Sequence, residues 1–384
     1  MRVDLIVIGG GVVGLSIAWE AARRGARVRI IDHANVDKQA SWAGAGIIPA
    51  PPGPRASQPL EHLARRAAQA HQSWADMLRD HTGLDTGYQR CGGLFIADQP
   101  GEAASLAASR WVWEEEGFEF QRWDNAKALG QAPQLGTCPG WSDVRTLIWT
   151  PGEAQLRNPR HLQALRLAIT RLGSEVLEEA VRDIAQVDGQ WQVRTSRSAH
   201  TAASVCVAAG AWTGTLIGRF GIATEVVPVR GQMLLHRFDR PIYPFVLNVG
   251  SRYLVSRADG HLLVGSTEEE AGFDARTTEE GLRGLEEFAT RWLPQELQQG
   301  GRLPPPIASW AGLRPASIDG FPVMGPVAEH EGLFVAAGHF RAGLTLSPAI
   351  AEVIVDMLEQ KQPAVDVRAF RPERGWKGSL TPPN

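Results

Sequence analysis

The chain has 384 residues, 43% hydrophobic, 7% aromatic and 21% charged, the make-up of a globular protein with one large domain or two intertwined ones. A formal net charge of −3 leaves no basic face for nucleic acid and no polybasic membrane anchor. The three cysteines, Cys91, Cys138 and Cys206, form no CxxC pair and the ten histidines show no metal-ligand spacing, which argues against a disulfide framework and a zinc site and suits a reducing, cytoplasmic setting.

Leu5–Ala18 is apolar enough to resemble a signal peptide. Asp4 interrupts its basic start, no clean cleavage site follows, and the run is too short to span a bilayer. The β-branched run Arg2–Ile8 reads instead as a buried parallel strand. It leads into Gly9-Gly10-Gly11-Val12-Val13-Gly14 and a helical pattern to about Arg24, which is strand, Gly-x-Gly-x-x-Gly, helix in the required order. Gly9 permits the tight turn, Gly11 lets backbone approach a pyrophosphate, and Gly14, with Ala18 one turn on, allows close packing. The helix start presents free N–H groups and partial positive charge to phosphate. A second strand, Ala26–Ile31, ends at Asp32, whose carboxylate is placed to accept from an adenosine ribose. These parts predict dinucleotide binding, against glycine-rich turn chemistry without a ligand. They do not separate NAD from FAD.

Ala40–Pro49 is too rich in small residues for an ordinary helix and too apolar for a surface loop. It reads either as backbone lying flat against a planar ligand or as a tight loop packed on the sheet. Pro49–Pro59 reads as a mobile or extended loop. Leu60–Leu78 and Leu106–Glu116 are predicted helices, and Cys91–Ile96 enters a strand. Asn158–Leu172 is a helix with Asn158 as cap and Pro159 at its first position. Strands follow at Glu175–Leu177, Val181–Val187 and Trp191–Thr195, the last two joined by an Asp188-Gly189 turn. Ser204–Trp212 is a buried strand with a glycine turn at Gly210, returning to the parallel sheet.

Pro228–Met233 opens an antiparallel region, and Arg252–Ser266 is a hairpin turning at Asp259-Gly260. Alternation puts Tyr253, Val255 and Arg257 on one face. Tyr253 is a site candidate or a core tyrosine bonded to backbone. Thr278–Leu293 is an amphipathic helix. In Trp310–Pro322, Arg314 stands between a glycine-leucine pair and Pro315. Its fork suits a substrate carboxylate, or a structural pair with Asp319. Leu333–Ala337, the turn Gly338–Thr345 and the helix Leu344–Leu358 make a second strand–turn–helix, whose dipole would favour negative charge on a reduced flavin. The tail from Lys361 is polar and proline-rich, the composition of a partly disordered end.

In this order the motifs Gly9–Gly14, Ser41–Ile47, Val205–Trp212, Pro228–Gln232, the Tyr253 hairpin, Gly312–Pro315 with Asp319–Pro322, and Gly338–Leu344 resemble the D-amino acid oxidase superfamily of flavoenzymes, most closely its glycine oxidases. The resemblance covers nearly the whole chain. It implies an α/β fold: a Rossmann-like FAD-binding domain from 1–85, 150–224 and 311–384, and an antiparallel-sheet substrate domain from 86–149 and 225–310. It implies FAD lined by Gly9, Gly11, Val12, Val13, Gly14, Asp32, His33, Ala40, Ser41, Ala45, Gly46, Ile47, Val181 and Gly210. The C-terminal turn would add Gly338, His339, Phe340, Arg341, Ala342, Gly343, Leu344 and Thr345. Arg314 would hold the substrate carboxylate, Tyr253 would add a hydrogen bond to it, and Arg341 would lie at the flavin and substrate edge. Ile47, where relatives can carry methionine, and Ser251, where they can carry histidine, are both expected to touch the pocket.

The reaction so implied is oxidative deamination of glycine or a small or N-substituted amino acid, by hydride transfer to flavin N5. The α-carbon hydrogen would stand about 3–3.5 Å from N5, with no side-chain base. Dioxygen is the expected acceptor, giving hydrogen peroxide, and a role in supplying thiamine precursors is implied. A D-amino acid dehydrogenase with another acceptor, a sarcosine-type oxidase, and a non-catalytic flavin module are the alternatives. No metal, nucleic acid or membrane span is expected; a homo-oligomer is open.

Overall fold

Strand Val3–Ile8 is buried from Leu5 onward, because neighbours pair on both edges and helices cover the sheet. The computed structural model describes residues 3–33, 39–220 and 226–374; Arg2 and 375–384, named in the expectations above, lie outside them. By contacts the chain divides into two units, one of Met1–Val36, Leu165–Val227 and Arg314–Asn384, the other of Asp37–Ala164 and Pro228–Leu313.

In the first unit, Glu175–Glu178, Val28–Asp32, Val3–Ile8, Ala199–Val207 and Leu333–Ala337 lie side by side, all parallel. Ala199–Val207 is long enough to serve two partners in turn. Its first residues pair antiparallel with Gln190–Thr195, and Val205–Val207 pair with Leu333–Val335. The Val181–Val187/Gln190–Thr195 hairpin turns at Asp188 (φ 50°) and Gly189 (φ 71°), the positive-φ pair that a two-residue hairpin loop requires. Helix Val12–Arg23 is buried from Val12 to Ala22 and packs on Gly343–Leu358. The two helices that follow glycine turns are therefore neighbours.

A second eight-stranded sheet runs in the order Ala308–Ser317, Val226–Arg237, His261–Gly265, Arg252–Ser256, Val246–Val249, Gly93–Ala97, Thr146–Thr150, Gln121–Trp123. Ala308–Ser317 is at its edge, where Pro315 costs no ladder bond. Alternation sorts the faces. Leu247 and Leu254 join Leu285, Phe288 and Trp292 of helix Glu279–Trp292, whereas Val246, Val255 and Tyr253 join Ala45, Ile47, Met233 and Trp310. The Asp259-Gly260 turn falls where the sequence puts it, with Gly260 at φ 85°.

Three expectations are refined. Pro49–Pro59 is extended but anchored: the Arg55 N–H donates to Glu116 O at 3.0 Å and its guanidinium to Glu114 O at 2.9 Å. The tail is packed through Arg374, with Phe370 fully buried and Arg374 bidentate to Asp319. Segments 37–85 and 150–164, expected with the nucleotide domain, group with the antiparallel sheet. The cause is a small third sheet, in which Ala154–Gln155 pairs with both Ile47–Ile48 and Gln89–Arg90.

Candidate active site

The glycine turn of the first unit leaves no room for side chains. Gly9 has φ 113° and a Cβ there would collide with Ala208 O; one on Gly14 would collide with Gly9 O. Gly11 is the N-cap of Val12–Arg23, extended and with no side-chain cap bond. The first turn of this helix presents the positive end of its dipole, the kind of end that a phosphate takes. Asp32 ends its strand with its side chain 11% exposed, facing Arg166 at 3.6 Å. His33 follows and is exposed. Glu179 N–H bonds Asp32 O at 2.8 Å, which brings the start of the Val181 strand to the same end of the sheet. Gly210, at φ 56°, follows the end of Ala199–Val207 there.

The C-terminal turn is built against this one. A Cβ at Gly343 would stand 3.9 Å from Val13 Cγ2. Gly338 (φ 73°) and Phe340 (φ 46°) bend the turn, and Ala342 N–H bonds His339 O at 2.8 Å. Ala342, Leu344 and Thr345 are half-buried at the start of the helix, which has no side-chain cap. His339 is 5% exposed, burial pushes it down to about 3, and its Nε2 has no partner. Arg341 is exposed, its guanidinium 5.5 Å from the Phe340 ring centre.

Arg314 is half-buried, and the backbone just after it is tied to this turn. Phe340 N–H bonds Pro315 O at 2.7 Å, and Ala316 bridges His339. Asp319, the alternative partner read from sequence, is exposed and gives its carboxylate to Arg374 at 2.8 and 3.0 Å.

In the second unit, Ala40–Ala43 is a short helix, so the first part of the small-residue stretch is helical after all. Trp310 Nε1 donates to Ala43 O at 3.0 Å, and Arg257 donates to Ala45 O at 2.6 Å and to Gln155 Oε1 at 2.6 Å. Arg257 is 6% exposed, and burial lowers it to about 10. Gly46 (φ 75°) fits under Leu156 O and the Asn158 amide. Asn158 was read as a helix cap; its Nδ2 instead donates to Ser41 O at 2.7 Å, and its buried Oδ1 has no partner. Tyr253 is half-buried, its hydroxyl 3.4 Å from Met233 Sδ, in one cluster with Ile47 and Trp310. Its cross-strand neighbour Asn248 donates to Glu153 Oε1 at 2.9 Å. Glu153 is 2% exposed, and burial raises its carboxyl to about 7. Ser251 lies with the helix-side face, lining a cavity of about 320 Å3 with Arg252, Phe288 and Trp292.

Sequence reasoning missed Arg166, Glu153 and the bonding of Arg257, and misassigned Asn158. Each acts across more than a hundred residues or from a buried strand end, where no spacing signals it. The uncapped helix, the glycine collisions and the unpartnered His339 Nε2 make a donor set and a cradle that fit an extended dinucleotide with a flat ring.

A family described as FAD dependent oxidoreductase (DAO) matches residues 4–357. Glycine oxidase of Pseudomonas putida is 35% identical over 380 residues, covering 97% of this chain and 99% of that one. The crystal structure of glycine oxidase from Geobacillus kaustophilus superposes with a TM-score of 0.89 at 30% identity, over 97% of this chain and 99% of that one. That of iminodiacetate oxidase from Chelativorans sp. BNC1 gives 0.82 at 26% identity, over 96% and 100%.

Proposed function

The chain belongs to the FAD-dependent oxidoreductases of the DAO family, and we propose that it is an amino acid oxidase acting on glycine or a small N-substituted glycine. The observation that carries the substrate assignment is the tie between the strand of Arg314 and the turn of His339–Phe340. It brings the backbone that carries Arg314 alongside the turn that would border the flavin.

The bound FAD supplies a two-electron acceptor for the α-carbon hydride, renewed by dioxygen. Arg314 holds the substrate carboxylate with two parallel charge-assisted bonds, and the Tyr253 hydroxyl donates a third. His339, kept neutral by burial, adds no cation of its own, so the clamp's charge comes from arginine. Arg257 and Asn158 hold the Ala40–Ile48 stretch from behind through Ala45 O and Ser41 O. The neutral amine needs no side-chain base, because hydride loss leaves an iminium that water hydrolyses to oxo acid and ammonium or a protonated amine. Electrons passed to dioxygen appear as hydrogen peroxide. The FAD domain would comprise the parallel-sheet unit together with the Ala40–Ile48 stretch. Three free cysteines suit a cytoplasmic enzyme; no helix among the described residues is long and apolar enough to cross a membrane.

The test is peroxide release by purified protein in air with glycine, sarcosine, D-alanine, D-proline and larger N-substituted glycines. Peroxide with glycine or an N-substituted glycine is expected. Reduction of a dye acceptor without peroxide would instead mark a dehydrogenase.

A further inference from the structure

We infer that Arg166 is a positioning residue for the adenosine end of the cofactor, closing over Gly10 and holding the Asp32 carboxylate towards the glycine turn. The inference rests on the FAD reading above. Arg166 comes from helix Asn158–Arg171, more than a hundred residues from either partner. Its Nη2 is 3.6 Å from Asp32 Oδ2 and 3.4 Å from Gly10 O. A Cβ on Gly10 would stand 2.6 Å from Asp32 Oδ2 and 2.8 Å from Arg166 Nη2. The ion pair therefore occupies the space that any side chain at position 10 would need. A side chain at position 10 would push the carboxylate or the guanidinium aside.

The pair is withdrawn from water, with side chains 22% and 11% exposed, so salt screens it weakly. Its separation is longer than a hydrogen bond, so the fork is not locked onto the acid. A carboxylate has about four acceptor positions. A ribose diol offers two donors to the same group. The guanidinium also stands at the turn whose helix carries no side-chain cap, where its charge adds to that of the helix end towards a pyrophosphate.

The experiment is titration of apoprotein with FAD and, separately, with ADP, for wild type, Arg166→Met, Arg166→Lys, Asp32→Asn and the Met/Asn double variant. Methionine keeps the apolar stem and removes the charged fork. Arg166→Met is expected to weaken FAD and ADP by the same factor, about ten- to a hundredfold. Lysine should recover part of this. The double variant should lose little beyond the worse single, since the two groups act as one. The apoprotein's melting temperature should stay near wild type. Wild-type affinity in Arg166→Met beside weakened Asp32→Asn overturns the inference and leaves the FAD reading intact. So does a loss of FAD affinity without loss of ADP affinity, or losses that multiply independently. Apoprotein that binds neither ligand overturns the FAD reading itself.

Discussion

Gly312 is seated against Ala43: a Cβ on Gly312 would stand 2.6 Å from the Ala43 Cβ. The glycine two residues before Arg314 is thus a packing requirement. Gln39 and Leu313 bridge alongside it, and Trp310 bonds Ala43 O. Gly312→Ala should destabilise the protein by about 1–3 kcal/mol through overpacking, read from urea unfolding. Gly312→Ala combined with Ala43→Gly should recover part of the loss. If the single variant melts like wild type, the close seat is not real.

Arg314→Ala should cut kcat/KM for amino acids at least about a hundredfold, the scale of losing a charged partner. FAD content and the flavin spectrum should be unchanged. Tyr253→Phe should cost about tenfold or less, because one neutral hydrogen bond is worth ~0.5–1.5 kcal/mol. Steady-state kinetics on the preferred substrate check both. Near-native turnover in Arg314→Ala would remove the carboxylate clamp.

Glu153 makes stability depend on pH with a definite sign. Burial raises its folded pKa from 4.5 to about 7, so between those values the folded state holds a proton that the unfolded state has lost. Stability from this group is present in full below pH 4.5 and declines as pH rises through about 7. Glu153→Gln removes the decline, so the variant should gain on wild type by up to ~3 kcal/mol between pH 4.5 and 8. Chemical denaturation across that range is the measurement, and a parallel pair of curves would contradict it.

FAD should be released by acid. Cys206 is fully buried in the sheet and Cys138 is 4% exposed, with burial pushing both thiols up, to about 12 and about 11. Burial also raises half-buried Cys91. Thiols so held are poor nucleophiles for a covalent flavin bond. Acid precipitation should leave a yellow supernatant over a white pellet; a pellet that stays yellow shows attachment.

What the sequence by itself determined is what short-range spacing can carry. Gly9–Gly14 with its flanking strand and helix, the Asp188-Gly189 and Asp259-Gly260 turns, and the alternation that sets Tyr253 beside Val255 all express backbone geometry within a few residues. Only the tertiary structure decided who meets across the chain. It gave Asp32 its arginine from position 166, turned the Asn158 amide to Ser41 instead of its own helix, and joined 37–85 to the antiparallel sheet through Ala154–Gln155. It also took Asp319 away from Arg314 and gave it to Arg374. Such pairings are chosen by which surfaces bury together and which buried polar atoms find partners, and neither leaves a period or a motif in the order of residues.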